Sequence, residues 1–302
     1  MEDEVIKSDI TILGHIAKDI IEIDGEAQEE IGGSVYYGGI AGAHMGLKVF
    51  VITRLKKEDF EILEDFDKYG IKYRASPSKG TSGIKNIYNS SNLEERECYP
   101  IDFAGKFLEN EIPKNLETNY FIIGPILAGE VDIELVKYLG QNYKNKLCLD
   151  IQGFVRVRQG DKIVFQSLPE DQKQDILSYI TILKTDKAEI EALTGKSNLY
   201  DAAQELSHYG PNEILITHRK GISVYTNEQR FFFPWSCEPK GRARTGRGDT
   251  SFISYVGSRI EKSPKEALKF AAVLTSLKLE IPGPFTLPLY HVHEKMSEVE
   301  GQ

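Results

Sequence analysis

Short apolar runs alternate with amphipathic stretches along almost the whole chain, and this rhythm limits the fold more than any other feature. Residues 10–13, 49–52, 120–123, 147–151, 180–183 and 214–217 are too short for buried helices and read as strands covered on both faces. Between several of them, residues 38–46, 57–69, 132–143, 188–193 and 202–208 carry helical spacing. Strand, helix, strand at this interval predicts an α/β fold, a parallel sheet with helices on both faces. Ligands of such sheets bind beyond the carboxyl ends of the strands. The rhythm breaks over 71–100, where alternating apolar and polar residues surround the turn-like Asn89-Ser-Ser-Asn92. A small antiparallel excursion is expected there, either a lid over a ligand site or a plain edge hairpin. No repeat, low-complexity tract or linker calls for a domain cut.

Charge and cysteine usage narrow the class. The 302 residues carry a formal charge of −9, which argues against a general nucleic-acid or anionic-membrane binder. Against that background Lys240, Arg242, Arg244 and Arg247 form a basic island, suited to a small polyanion or to a solvated face. Three widely spaced cysteines, with no Cys-x-x-Cys, point away from a disulfide framework or zinc site and toward a reducing cytoplasm. The start, Met1-Glu-Asp-Glu-Val, is acidic where a secretory signal is basic. No apolar run approaches the roughly 18 residues of a membrane span.

The basic island surrounds Arg242-Ala-Arg-Thr-Gly-Arg-Gly-Asp-Thr-Ser-Phe252. Phe252, Ile253, Val256 and Ile260 follow at helical spacing, so Gly246 to Asp249 should form the turn entering a helix. Such a turn presents unpaired backbone N–H groups and the positive end of the helix dipole to an anion. Asp249 adds a carboxylate able to take a proton. An anion cradle beside a base is the equipment for phosphoryl transfer to a hydroxyl. Arg247-Gly-Asp249 is also an adhesion tripeptide, but so short a match without a secretory signal carries little weight. His291-x-His293 could bind a metal, although paired histidines at such a place are more often solvent-exposed.

Other motifs accompany it in a fixed order: Gly14-His-Ile-Ala-Lys-Asp19, Ile31-Gly-Gly-Ser-Val-Tyr-Tyr37, Lys184-Thr-Asp-Lys-Ala-Glu189 and Thr217-His-Arg-Lys-Gly221. Singly each is weak. Together, from Gly14 to about Pro284, they resemble the ribokinase-like, or PfkB, family of carbohydrate kinases. Gly246-Arg-Gly-Asp249 matches that family's Gly-Ala-Gly-Asp at three of four positions.

The resemblance implies a Rossmann-like parallel core with a small β-sheet lid. That lid would be inserted mainly within 71–100 and also near 14–37 of a single 1–302 kinase domain. It implies ATP-dependent phosphorylation of a sugar or cyclitol, with Asp249 as base and the amides of Gly246, Arg247 and Gly248 as anion hole. Asp19, Gly32 and Gly33 would bind the acceptor, with Tyr37, Gln152 and Arg156 as further contacts. Tyr36, Tyr88 and Tyr99 could stack on a ligand or simply pack. Lys184, Asp186, Thr217 and Gly221 would face ATP, and Glu189 would hold Mg2+ through water. Ala243 stands where the family has an aspartate near a monovalent cation, so such activation is left open. Arg247, in place of a small residue, would add a guanidinium near phosphate. The alternatives are a nucleoside kinase of the same fold and a silent sugar-sensing homologue. A homodimer through the lid is expected by analogy.

Overall fold

In the computed structural model, residues 5–237 and 241–300 are described. The strands of the first half are β1 (Ile6–Leu13), β2 (Ala17–Ile23), β3 (Glu26–Gly32), β4 (Val49–Lys56), β5 (Lys72–Ser78), β6 (Gly83–Asn89), β7 (Asn92–Asp102) and β8 (Leu116–Ile123). Those of the second half are β9 (Leu147–Asp150), β10 (Arg156–Gln159), β11 (Lys162–Phe165), β12 (Ile182–Asp186), β13 (Glu213–His218), β14 (Gly221–Thr226) and β15 (Gln229–Pro234). The helices are α1 (Ser34–His44), α2 (Glu64–Lys68), α3 (Ile133–Asn142), α4 (Gln152–Val155) and α5 (Glu170–Leu177). After them come α6 (Lys187–Thr194), α7 (Leu199–Ser207), α8 (Arg247–Ser258), α9 (Pro264–Lys278) and α10 (Leu289–Glu300).

A nine-stranded sheet runs in the order β15-β14-β13-β12-β9-β8-β1-β4-β5. It is parallel from β13 to β5, and each apolar run read as a strand falls in it or overlaps one of its strands. Alternate residues face opposite ways, as the pleat requires. Leu13, Phe121, Ile123, Leu147 and Leu149 pack with α3, α5, α6 and α7 on one face. Ile10, Ile12, Ile122 and Cys148 pack with α1, α2, α8 and α9 on the other. Strand order reverses between β1 and β8, the position where an open α/β sheet leaves a crevice. There the buried Glu130 accepts the N–H of His15 and of Ile126, each at 2.7 Å, tying together the segments that leave the two strands.

The lid is a separate four-stranded sheet, β3-β2-β6-β7. Half of it comes from 17–32, ahead of the stretch where the break in rhythm was strongest. β5 is not part of the lid: it pairs in parallel with β4 at the edge of the main sheet. Its short alternating pattern is that of an edge strand, exposed on one side, and looks the same locally as a lid strand. The hairpins β10–β11 and β14–β15 were not anticipated; their strands are half-exposed or follow a strand with almost no punctuation.

Candidate active site

The motif at 246–249 opens α8, as its spacing predicts. Gly246 precedes the helix with φ 75°, a left-handed conformation that costs glycine little. A Cβ there would lie 2.1 Å from Cδ1 of Tyr37, so the loop can close against that ring only without a side chain. Arg247, Gly248 and Asp249 fill the first turn, whose N–H groups lack intrahelical partners. Ser34, the first residue of α1, donates its hydroxyl to Oδ1 of Asp249 at 2.5 Å. The small residues of α1 permit that approach: a Cβ on Gly38 would lie 2.3 Å from Ile253 of α8. Helices 215 residues apart in sequence thus meet at the reacting carboxylate.

Above this turn lies a cavity of about 150 Å³, walled on the lid side by Asp19, Ile84, Asn86, Tyr88 and Arg96. Ile84, Asn86 and Tyr88 alternate along β6, so one face of the strand points inward. Oδ1 of Asp19 accepts the N–H of Ile84 at 2.8 Å, and Oδ2 lies where a Cβ on Gly32 would stand, 2.4 Å away. Burial pushes the Asp19 carboxyl up, to about 7, against the lowering pull of the Ile84 N–H and of Arg96 and Arg156.

The opposite wall is a buried charge network. Lys184 Nζ lies 2.8 Å from Asp150 Oδ2 and 3.7 Å from Glu189 Oε2. Arg156 Nη2 lies 2.7 Å from Glu189 Oε1 and 3.9 Å from Asp186 Oδ2. Burial opposes the charge on Lys184, but Asp150, Glu189 and Asp186 outweigh it and raise its pKa, which keeps the ammonium protonated. Burial pushes Asp150 up, to about 7, against the pull of Lys184. The ammonium 2.8 Å away favours the charged carboxylate and so limits that rise. Asp186 and Glu189 form a reciprocal capping box at the start of α6. Beyond Asp186 the cavity continues into an outer groove of about 1040 Å³, lined by Arg96, Lys187, Arg219, Arg244, Arg247 and Phe165 among others.

Asp19, Gly32, Gly33, Tyr37, Gln152, Arg156, Lys184, Asp186, Thr217, Gly246, Arg247, Gly248 and Asp249 therefore line one cavity. Arg156 sits on its charged wall with the donor-side residues. Glu189 lies behind the wall, fully buried, with its oxygens facing the Asp186 N–H, Arg156 and Lys184. Gly221 lines neither the cavity nor the groove. It starts β14 after Arg219 and Lys220, and a Cβ there would meet the carbonyl of Phe233 at 2.2 Å. Tyr36 is in the core, its hydroxyl on Asp65 at 2.6 Å. Tyr99 donates to Glu97 on the lid. His291 lies 3.8 Å from Glu294 on α10, and among the described residues no three His, Cys, Asp or Glu side chains converge to hold a metal. Lys240 and the side chain of Arg242 lie outside the described residues. Sequence reasoning missed Ser34, Asn86, Arg96 and Asp150. Asn86 left a signal at the centre of an alternating strand, and Asp150 left one at the carboxyl end of β9.

An anion-binding helix start with a carboxylate in its first turn faces a polar cavity under a lid. That is the site of a phosphotransferase acting on a hydroxyl, and the relatives are kinases of this type. A pyrophosphate-dependent kinase of the ribokinase family, solved with sulfate, is 30% identical to this chain. It covers 97% of this chain and 100% of its own, with a TM-score of 0.86. A pyrophosphate-dependent kinase of that family complexed with a pyrophosphate analog and myo-inositol is also 30% identical, with 97% and 100% coverage and a TM-score of 0.84. A curated cytidine kinase from Thermococcus kodakarensis is 26% identical over 252 residues, which is 80% of this chain and 84% of that one. No family model matches the chain. The chain belongs to the ribokinase family.

Proposed function

We propose that the chain transfers a phosphoryl group from inorganic pyrophosphate to a hydroxyl of a cyclitol or monosaccharide. Asp249 takes the hydroxyl proton. Ser34 fixes one carboxylate oxygen, so the other is aimed at the acceptor. The N–H groups of Gly246, Arg247 and Gly248 receive the charge that develops on the transferred group. Asp19, Asn86 and Gln152 offer acceptors and donors to the remaining hydroxyls.

The observation that carries this reading is the size of the cavity against the charge of its surroundings. About 150 Å³ suits one six-membered ring, and it is small for a nucleoside. Arg96, Arg156, Arg244, Arg247 and Lys184 line the same cavity, and Arg96, Arg244 and Arg247 also line the outer groove, so cationic side chains gather at the junction where the donor would lie. The turn expected on the nucleotide side is a tight β13–β14 hairpin, with only Arg219 and Lys220 between His218 and Gly221. A small, densely charged donor fits this better than a nucleotide, and a relative holds a pyrophosphate analog together with myo-inositol. ATP is the second reading, favoured by the room in the outer groove.

A Mg2+ that accompanies the donor would neutralise phosphate oxygens while keeping several waters. Asp186, whose side chain is 28% exposed and lines both spaces, suits it; Glu189, at 0% and held by two cations, does not. We place the protein in the cytoplasm, since its three cysteines form no disulfide; export of the native protein to an oxidising compartment would refute that. Among the described residues no helix is long and apolar enough to cross a membrane. A homodimer would pair through an outer strand of the lid, β3 or β7; a single monomer mass in sedimentation rejects it.

The test is 31P NMR of the purified chain with Mg2+, offering pyrophosphate or ATP against myo-inositol, ribose and cytidine. Transfer from pyrophosphate to a polyol is expected. Transfer only from ATP replaces the donor, and transfer only to cytidine overturns the acceptor. Asp249→Asn should lower turnover by about 10²- to 10⁴-fold while the donor still binds; unchanged turnover removes Asp249 as the base.

A further inference from the structure

Lys278, the last residue of α9, has a fully buried side chain, yet among the described residues no carboxylate forms an ion pair with it. Its ammonium donates to the carbonyl of Ala243 at 2.5 Å and to the carbonyl of Thr245. The ring of Tyr37 lies 5.1 Å from Nζ to its centroid. Backbone carbonyls and an aromatic face are the surroundings a desolvated monovalent cation takes. These two carbonyls belong to the loop that delivers Gly246 and the first turn of α8, and the same Tyr37 ring covers Gly246. Ala243 itself is buried and brings no carboxylate to the place.

A carbonyl held by a cation fixes the peptide planes beside it. The N–H groups assigned above to the anion hole, those of Gly246, Arg247 and Gly248, lie one to three residues beyond Thr245, so the inference rests on that reading. We propose that the Lys278 ammonium is a built-in monovalent cation: it sets the 243–246 loop for phosphoryl transfer, and the chain needs no added K+ or NH4+. Burial lowers its pKa, to about 8, with Glu30 and Asp249 pulling upward and Arg247 adding to the fall, so it is charged at neutral pH. Lys278 touches neither donor nor acceptor in this arrangement; it is a positioning residue.

Lys278→Met tests this, because methionine ends where the ammonium begins and leaves a gap the size of one ion. The wild type is assayed in K+, NH4+, Na+ and tetramethylammonium buffers and should show one rate; activation by K+ or NH4+ overturns the proposal. The variant should lose about 10²-fold in kcat, the scale of a lost oxyanion contact, with KM for the acceptor little changed. K+ or NH4+, but not tetramethylammonium, should restore much of the loss. A folded variant with full activity, or with a loss that no ion repairs, overturns it. Melting temperature gives a readout independent of turnover. That of Lys278→Met should rise with K+ or NH4+ while the wild type stays flat, even if the donor and acceptor are other than proposed. Should the variant not fold in any ion, the wild-type arm decides alone.

Discussion

Gly246→Ala isolates the contact on which the anion loop depends. Two costs follow from the structure. A side chain at φ 75° takes on the left-handed penalty of about 1 to 2 kcal/mol. The added Cβ also falls 2.1 to 2.5 Å from three atoms of the Tyr37 ring. That ring is 2% exposed and held between the loop and Lys278, so it has little room to retreat. Overpacking of this kind costs about 1 to 3 kcal/mol. The sum is about 2 to 5 kcal/mol. At about 2.1 cal/mol/K per residue, 302 residues have an unfolding entropy of about 0.6 kcal/mol/K. Tm should therefore fall by about 3 to 8 °C in calorimetry. Gly248→Ala is the control: its Cβ would meet only the end of Lys184, at 3.2 Å, and its φ is not left-handed. It should melt close to the parent. A Gly246→Ala protein that melts within about 1 °C of the parent refutes the reasoning, because neither strain nor contact would then exist.

Two other perturbations probe the opposite walls. Asp19 titrates near 7 when folded and near 3.8 when unfolded, so between those values the unfolded chain has released a proton that the folded chain retains. Its contribution to stability is full at low pH and is lost as pH rises through about 7. Urea unfolding across this range should show Asp19→Asn gaining on the parent as pH rises; a constant difference contradicts the burial of this carboxyl. Arg96 donates to the Tyr88 hydroxyl at 3.0 Å and lines both the cavity and the outer groove from the lid. Arg96→Ala should raise KM for the phosphate donor by about tenfold, the scale of one charge-assisted contact, and leave Tm unmoved; an effect on the acceptor alone would place it on the other substrate.

How much of this was legible depended on the range of the interaction. The capping box of Asp186 and Glu189 spans three residues, and its type could be read from the chain. What occupies Glu189 could not: Arg156 arrives from 33 residues away and Lys184 from the preceding strand, and together they enclose the carboxylate. Gly221 looked like part of a nucleotide turn because glycine marks any close approach. The neighbour it accommodates, Phe233, is set by cross-strand pairing. Residues 72–78 looked like part of the lid because an edge strand and a lid strand share one local pattern.

The sequence by itself determined the layered α/β core, since a period of two or of 3.6 is written in consecutive residues. It also determined the helix start at 246–249, where glycine, charge and apolar spacing coincide within one turn. Tertiary structure alone decided what surrounds that turn. Ser34 on Asp249, Tyr37 against Gly246 and Lys278 on the loop carbonyls come from α1 and α9, elements with no local signal of their partners. Side chains brought together across a sheet edge owe their contact to packing and topology, and no stretch of neighbouring residues records it.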